Sequence, residues 1–214
     1  MNCMVSGGPV NSKTYPTIGA CGIDCGLCPR YQTTAASRCP GCAPEGFLDA
    51  GGQWCKMTRC AVRERGYETC AECAQFPCYR FEGWDLGDSF VSHLRSIANL
   101  HAIRERGIEG FAAQQQARMA LLRKMLEEFG EGRSKSYCCV ACALLPLDEI
   151  EEGLAQARRE VQDAGFAVED RRNRAAVLHR TFDNAAERLG VSLKLRSWRK
   201  ASTGSQAGDP PSTK

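Results

Sequence analysis

The sequence predicts a mainly α-helical fold with an irregular, metal-stapled cysteine-rich module near its N-terminus, and a small α+β fold at most. Ten of the 14 cysteines lie between Cys21 and Cys78, in a stretch punctuated by glycine and proline. After residue 80, apolar residues recur at helical spacing in four stretches. A strand-like alternation is confined to Val191, Leu193 and Leu195.

These features divide the chain into five parts. They are a disordered N-terminal tail (1–17), a cysteine-rich metal-binding module (18–79), a helical hairpin with a second short cysteine cluster (80–147), basic C-terminal helices (148–200) and a disordered tail (201–214). The N-terminal tail lacks the basic and apolar regions of a secretory signal. No stretch approaches the roughly 18 consecutive apolar residues of a membrane span. We therefore expect a cytoplasmic protein without a membrane partner.

The module at 18–79 contains few aliphatic side chains, so apolar burial alone cannot offset the entropy lost when it becomes ordered. Its cysteines are the candidate staples. In a reducing compartment, clustered cysteines bind metal more often than they form disulfides. One short helix is expected at 58–65, with Gly66 past its end.

Four cysteine pairs have C-x-x-C spacing, in which a tight turn brings two thiolates to one side, as two corners of a zinc tetrahedron require. These pairs are Cys25/Cys28, Cys39/Cys42, Cys70/Cys73 and Cys139/Cys142. The candidate metal ligands are the ten clustered cysteines: Cys21, Cys25, Cys28, Cys39, Cys42, Cys55, Cys60, Cys70, Cys73 and Cys78. Their number predicts two zinc ions.

The spacing leaves the division of ligands between the two sites open. One division joins Cys39, Cys42, Cys70 and Cys73 in one site, and Cys21, Cys25 and Cys28 with Cys55, Cys60 or Cys78 in the other. An iron–sulfur cluster is the alternative cofactor, because thiolates bind both zinc and iron. The first three cysteines have the spacing of radical S-adenosylmethionine enzymes, but Leu27 stands where those enzymes usually have an aromatic residue. The isolated Cys3, and Cys138 beside Cys139, are interpreted as packing or inert residues.

Four helices are expected after the module. They run from about 88 or 89 to 107, over 108–129, from 148 onward and over 171–189. In the first helix, Asp88 or Ser89 is the expected N-cap, and Phe90 and Leu94 are expected to pack inward.

No motif indicates catalysis, so no catalytic residue is assigned. The only histidines are His93, His101 and His179, and the first two fall within an expected helix. A non-enzymatic binding or regulatory module is therefore favoured over an iron–sulfur or open-site metalloenzyme or redox protein. The segment 171–200 carries nine Lys or Arg against two acidic residues, a net charge of +7, and could meet an acidic protein face or nucleic acid.

The order of these motifs resembles a known family. The matching segments are CGIDCGLCPRY from Cys21, the RCPGC box, Cys55, CAVRERG from Cys60, CAECAQFPC from Cys70 and HAIRERGIEGFAAQQQ from His101. Together they resemble the prokaryotic cysteine-rich domain-of-unknown-function family 3795, over about 18–116. The resemblance implies a zinc-binding module without an assigned activity. Relatives often carry a later C-x-x-C pair, whereas here Cys139 and Cys142 run straight into a helix and are given no metal.

Overall fold

The computed structural model describes residues 12–47, 55–132 and 134–198. Five helices of 11 residues or more dominate this part of the chain. They are α1 (Ser96–Arg106), α2 (Ile108–Phe129), α3 (Ser134–Leu144), α4 (Leu147–Asp163) and α5 (Arg171–Arg188). No β-strand occurs within these described residues, so the mainly helical prediction is confirmed. None of the described helices is long and apolar enough to cross a membrane.

The cysteine-rich region consists of loops and single helical turns, as its composition predicts. The 3₁₀ turns are Cys25–Leu27, Cys70–Glu72 and Tyr79–Phe81, and a short α-turn at Lys56–Thr58 continues as a π-turn over Arg59–Arg63. This α-turn and π-turn together correspond to the helix expected at 58–65. Residues 12–17 belong to this region and not to a disordered tail, since Lys13 N donates to Ala43 O over 2.7 Å. The segments 1–11 and 201–214, also predicted to be disordered, lie outside the described residues.

The expected start of α1 at residue 88 or 89 is wrong, because the helix begins at Ser96. Asp88 is not an N-cap: its carboxylate binds the guanidinium and backbone N–H of Arg196 instead. Phe90 and Leu94, expected to pack inward, are 57% and 46% exposed.

The next helices are closer to expectation. Helix α2 has the predicted bounds, and Gly107 joins it to α1 at a φ of +82°, a conformation that favours glycine. Helix α4 begins at Leu147, one residue before the predicted start, and α5 ends at Arg188. Helix α3 was not predicted, because its three cysteines were treated as a short cysteine cluster and not as apolar residues at helical spacing.

The short strand predicted from the alternation at 191–195 is not formed. Arg196, the residue that follows this segment, forms backbone hydrogen bonds with Asp88 instead of with a neighbouring strand. Asp88 N donates to Arg196 O over 2.9 Å, and Arg196 N donates to Asp88 Oδ2 over 2.7 Å. This C-terminal segment therefore docks on the loop before α1 as an irregular chain.

The apolar interior has two main parts. The helical core is formed by α2–α5 and includes the fully buried Leu122, Met125, Phe129, Ile150, Leu154, Leu178 and Phe182. The second core joins the cysteine-rich loops to α1 and the start of α2, and includes Ile18, Met57, Phe76, Phe81, Leu100, Ile103 and Phe111. Leu27, from the cysteine-rich loops, packs into the helical core and links the two parts.

Polar contacts hold the first cysteine motif against α1 and α2. The buried Asp24 carboxylate accepts hydrogen bonds from Asn99 Nδ2 at 2.9 Å and Gln115 Nε2 at 3.0 Å. Gly22, with φ +83°, passes so close to α1 that an added Cβ would lie 2.2 Å from Ser96 O. The CGIDC segment therefore has a fixed position on the helical hairpin, with its two cysteines directed by that docking.

Candidate metal centre

All ten predicted metal ligands lie within the described residues, on loops or at the ends of short turns. Backbone hydrogen bonds bring distant segments of these loops together. Cys42 N donates to Pro16 O over 2.7 Å, and Cys70 N donates to Ala20 O over 2.8 Å. Residues near 16–20, 42 and 70 are therefore neighbours although up to about fifty positions separate them in sequence.

A first cysteine group comprises Cys21, Cys25, Cys42 and Cys55. The sulfurs of Cys42 and Cys55 contact the same hydroxyl, Thr58 Oγ1, at 3.4 and 3.1 Å. Ala20 N donates to Cys42 Sγ over 3.4 Å, which places this sulfur beside the backbone that carries Cys21.

The pKa values of Cys21 and Cys25 also depend on the charges of neighbouring cysteines. Burial raises the pKa of the Cys21 thiol, and negative charge on Cys42, Cys55 and Cys70 raises it further. Burial likewise raises the pKa of Cys25, with further increases from Cys42, Cys21 and Cys28, while the ammonium of Lys13 opposes them. Cys21 and Cys25 thus lie close enough to Cys42 for its charge to disfavour their thiolates, a repulsion that a bound divalent cation would relieve.

A second cysteine group comprises Cys60, Cys70, Cys73 and Cys78. Burial raises the pKa of Cys70 to about 12, and the charges of Cys78, Cys60, Cys73 and, from the first group, Cys55 contribute in that order. The turn Cys70–Glu72 is fixed by a capping box, in which Thr69 Oγ1 accepts from Ala71 N and Glu72 accepts from Thr69 N.

Arginines surround the second group. Arg65 Nη1 donates to Cys73 Sγ over 2.9 Å, and the Arg80 side chain hydrogen-bonds to Cys60. Arg104 donates to Ala71 O at 2.9 Å and to Cys73 O at 2.7 Å. Four thiolates around one divalent ion carry a net charge of −2, and these guanidinium groups offset part of that charge.

Burial raises the pKa of Cys28, and the charge of Cys39 raises it further. The charge of Cys28 in turn raises the pKa of Cys25, so this C-x-x-C pair stays together. This arrangement differs from the division suggested by the sequence, which joined Cys39 and Cys42 with Cys70 and Cys73. The second group keeps its C-x-x-C pair together.

The three cysteines of α3 belong to the helical core. Cys138, Cys139 and Cys142 are at most 1% exposed, and Cys142 Sγ lies 3.5 Å from Met125 Sδ. Burial raises the pKa of Cys138 to about 12. These are properties of packed apolar thiols.

His93 has no free ring nitrogen, because Nδ1 contacts Trp84 O and Nε2 contacts Ser89 Oγ, each at 3.0 Å. The His101 ring packs against the Phe76 ring. The candidate donors of the two groups are thiols, which suit zinc or iron–sulfur chemistry.

The side chains as placed do not form a finished coordination shell. Within the three described ranges, no three His, Cys, Asp or Glu side chains lie in reach of one metal ion. All thirteen cysteines in these ranges are free thiols. A cysteine sulfur moves with a single torsion, χ1, so rotamer changes alone can draw neighbouring sulfurs inward. The donor chemistry fits a thiolate-bound metal, while the coordination geometry is a proposal.

Sequence reasoning missed the charged and polar neighbours of the thiols. Lys13, Thr58, Arg65 and Arg80 contact or influence the two groups, yet none belongs to a metal-binding spacing. The cluster of basic residues around CAVRERG was the available signal, since it places cations among the cysteines.

A family model described as "Protein of unknown function (DUF3795)" matches residues 17–83. Residues 17–83, called the DUF3795 region below, are therefore similar to this family. The match includes both cysteine groups, Cys28 and Cys39, and it ends before α1. The extension of the resemblance to residue 116 therefore stays a prediction. No curated protein and no solved structure matches the chain.

Proposed function

We propose that the DUF3795 region is a zinc-stabilised binding module, in which the first and second cysteine groups each hold one zinc ion through four thiolates. The observation that supports this most is the proximity of thiols from separate loops, such as Cys42 and Cys55, whose sulfurs both contact Thr58 Oγ1. Four thiolates match the closed tetrahedral shell of a structural zinc site. Such a site contributes directly to folding, because the ligands are brought together only in the folded chain.

The second core shows why the module needs this contribution. Four of its twelve buried residues come from α1 and α2, namely Leu100, Ile103, Phe111 and Ala112, so the loops are packed partly against these helices. The loops also cover a small cluster consisting of Ala20, Ala43, Ala61 and Val62, which buries little apolar area. Metal binding at the two groups would add cross-links to the backbone hydrogen bonds that join these loops.

The binding role is proposed from the surface next to the module. Four large apolar side chains between residues 79 and 94 are exposed: Tyr79 at 68%, Leu86 and Phe90 at 57%, and Leu94 at 46%. Contiguous exposed apolar patches are typical of protein-binding surfaces, and these four side chains are proposed to contribute to one. A protein partner therefore suits this segment better than nucleic acid does.

The basic segment 171–200 contributes less free charge than its composition suggests. Arg180, Arg188 and Arg196 form ion pairs with Glu160, Glu149 and Asp88 at 2.7, 2.9 and 2.9 Å. Arg171 and Arg174 donate to the carbonyls of Glu127 and Glu128 at the C-terminal end of α2. Binding of a polyanion through this segment stays a prediction, and it is secondary in the proposed function.

Metal analysis of variants tests the proposal. Cys42→Ser and Cys73→Ser should each lower the zinc content by about one ion per chain, because each removes one ligand from a different group. Cys142→Ser is the matched control and should leave zinc unchanged. Equal zinc in all three variants would contradict the assignment. Iron with acid-labile sulfide would instead support the iron–sulfur alternative.

A further inference from the structure

A surface cleft of about 330 Å³ lies between the loop 29–37, the segment before α1 and the start of α3. Three parts of the chain that are distant in sequence therefore form its walls. The side chains that could contact a ligand there are Arg30, Thr33, Ser37, Phe90, Lys135 and Ser136. No acidic residue lines the cleft, so it presents two cations, three hydroxyls and one aromatic ring.

The fold makes no use of the two cations of the cleft as ion-pair partners. Four ion pairs occur within the described ranges, and they use other arginines: Arg158, Arg180, Arg188 and Arg196. In the described part of the chain, the side chains of Arg30 and Lys135 also donate no hydrogen bond to another residue. Both positive charges are therefore available to an anion in the cleft, unlike those of the ion-paired arginines in the basic segment 171–200.

Phe90 and Arg30 form a stacked pair at the cleft. The Phe90 side chain is 57% exposed, and Arg30 Cζ lies 4.9 Å from its ring centroid. This cation–π contact holds the guanidinium beside the ring. An exposed aromatic ring next to cations is a combination that binds nucleotides, because the base stacks on the ring while the phosphate meets the positive charge.

The walls of the cleft are held in place by contacts within the protein. In the loop, Arg38 Nε donates to Tyr31 O over 2.8 Å, and Gln32 Nε2 donates to Gly26 O over 2.6 Å. The Tyr31 ring packs against the helical core. On the other side, Lys135 and Ser136 lie in the first turn of α3, whose positive dipole end also favours an anion. A ligand would therefore meet a largely formed site, which lowers the entropy cost of binding.

The charge of the cleft favours a phosphate ester over a carboxylate. A phosphate monoester carries a charge of about −1.5 to −2 at pH 7, which the two cations Arg30 and Lys135 together match. A single carboxylate would compensate only one of them. The three hydroxyls can donate to further phosphate oxygens. The volume of the cleft lies at the lower end of the roughly 300–1,000 Å³ of small-molecule sites, which favours a mononucleotide over a dinucleotide.

We propose that this cleft binds a nucleoside monophosphate, with the phosphate between Arg30 and Lys135 and the base stacked on Phe90. The site requires neither zinc nor a protein partner, so it goes beyond the proposed function. The other three exposed apolar side chains of the segment 79–94 are not among the residues that line the cleft: Tyr79, Leu86 and Leu94.

The first test compares three probes by isothermal titration calorimetry, on the full chain with its bound metal at low salt. Adenosine 5′-monophosphate should bind at least about tenfold more tightly than ribose 5-phosphate, because only the former can stack a base. It should also bind more tightly than adenosine, which lacks the phosphate. Equal affinity for the monophosphate and either of the other probes would overturn the proposal, as would no binding of the monophosphate at about 1 mM.

A strand of nucleic acid is the competing source of the same groups. An oligoadenylate of about 12 nucleotides therefore serves as a fourth probe. Equal or weaker binding per site than that of adenosine 5′-monophosphate supports a small-molecule site. Much tighter binding of the strand would assign the cleft to single-stranded nucleic acid and overturn the proposal.

The second test uses variants of the cations. Replacing Arg30 and Lys135 together with alanine should weaken binding of both adenosine 5′-monophosphate and ribose 5-phosphate at least about tenfold, because two charged donors are lost. Arg123→Ala, which removes an exposed cation of α2, is the matched control and should change neither affinity. Unchanged affinity for the monophosphate in the double variant, with the far-UV circular dichroism spectrum of the native chain, would overturn the assignment of the phosphate.

The third test addresses the stacked base. Phe90→Ala should weaken binding of adenosine 5′-monophosphate about tenfold and that of ribose 5-phosphate much less, whereas Phe90→Trp should keep both affinities. Leu94→Ala, an exposed apolar residue of the same segment, is the matched control. Equal weakening of both ligands by Phe90→Ala would overturn the stacking. Zinc is measured on the same samples, so a chain without zinc that binds the monophosphate would contradict the proposed function and support this inference.

Discussion

The contact between Asp88 and Arg196 predicts a measurable stability loss when the carboxylate is neutralised. Asp88 accepts from Arg196 N at 2.7 Å, Arg196 Nη2 at 2.9 Å and His93 N at 2.8 Å. Its side chain is 1% exposed. Asp88→Asn keeps the size of the side chain but removes the charge that these donors stabilise, so it isolates the electrostatic part of the contact.

The size of the loss follows from the pKa of Asp88. Burial would raise this pKa, but the hydrogen bonds from Arg196 and His93 and the charge of Arg196 outweigh it and lower the pKa from 3.8 to about 2. One pKa unit corresponds to about 1.4 kcal/mol, so the ionised carboxylate stabilises the folded state by roughly 2 kcal/mol at pH 7. Asp88→Asn should lower the free energy of unfolding by about this amount.

The pH dependence has a definite sign. Because the pKa of Asp88 is lower in the folded state than in the unfolded state, the stabilisation is fully present above about pH 5 and is lost as the pH falls toward 2. The difference between the native chain and Asp88→Asn should therefore shrink in acid, to about half its neutral value near pH 3.

Urea denaturation followed by far-UV circular dichroism measures these differences. Asp85→Asn is the matched control, because Asp85 is exposed and only three positions away. It should change stability by less than about 0.5 kcal/mol. Equal effects of the two substitutions at pH 7 would refute the assignment of stability to the Asp88–Arg196 contact.

Three further predictions concern the docking of the module, the helical core and the metal. Gly22→Ala should destabilise the chain by at least about 2 kcal/mol in urea denaturation, because it places a Cβ at positive φ and 2.2 Å from Ser96 O; a loss as small as that of an exposed Gly46→Ala would contradict this. Leu178→Ala, at a fully buried position in α5, should cost about 2–5 kcal/mol in the same assay without changing the zinc content, and a loss of metal would contradict the separation of the helical core from the metal groups. Removal of metal by a chelator should make 18–79 sensitive to protease while α2 stays comparatively helical, and an unchanged digestion pattern after verified metal loss would count against a structural metal.

The helices with strong apolar periodicity could be predicted from the sequence, and those whose ends depend on distant contacts could not. The bounds of α2 follow from Phe111, Met119, Leu122 and Phe129, which recur at helical spacing and are buried. The start of α1 could not be predicted from the sequence, because the Asp88 carboxylate binds Arg196, which is 108 residues away in sequence, and does not cap the helix. A local capping signal carries no information about such a partner.

Helix α3 shows a different limit. Its cysteines serve as small apolar side chains in the helical core, and the same residues in a C-x-x-C spacing also indicate metal. Composition does not separate these two uses, whereas the contacts do: Cys139 and Cys142 are 1% and 0% exposed within the helical core, where Cys142 Sγ lies 3.5 Å from Met125 Sδ. The signal that could have favoured a helix is the pair Cys138 and Cys142, which are four positions apart and share a helix face.

The candidate ligands could be named from their spacing, but their division into groups could not. Proximity of the groups depends on long-range backbone bonds, such as those from Cys42 N to Pro16 O and from Cys70 N to Ala20 O. The loop between Cys28 and Cys39 is closed by a bond from Cys39 N to Arg30 O. No rule of local spacing anticipates these backbone contacts.

Elemental analysis of the full chain, purified without added metal, tests the proposed metal centre most directly. Two four-thiolate groups predict two zinc ions per chain, with no iron and no acid-labile sulfide. Denatured-state thiol titration on the same sample should count 14 free thiols, as expected when no cysteine is lost to disulfides. Less than half an equivalent of zinc, in a folded chain that also lacks iron, would contradict the proposal that metal holds these loops together.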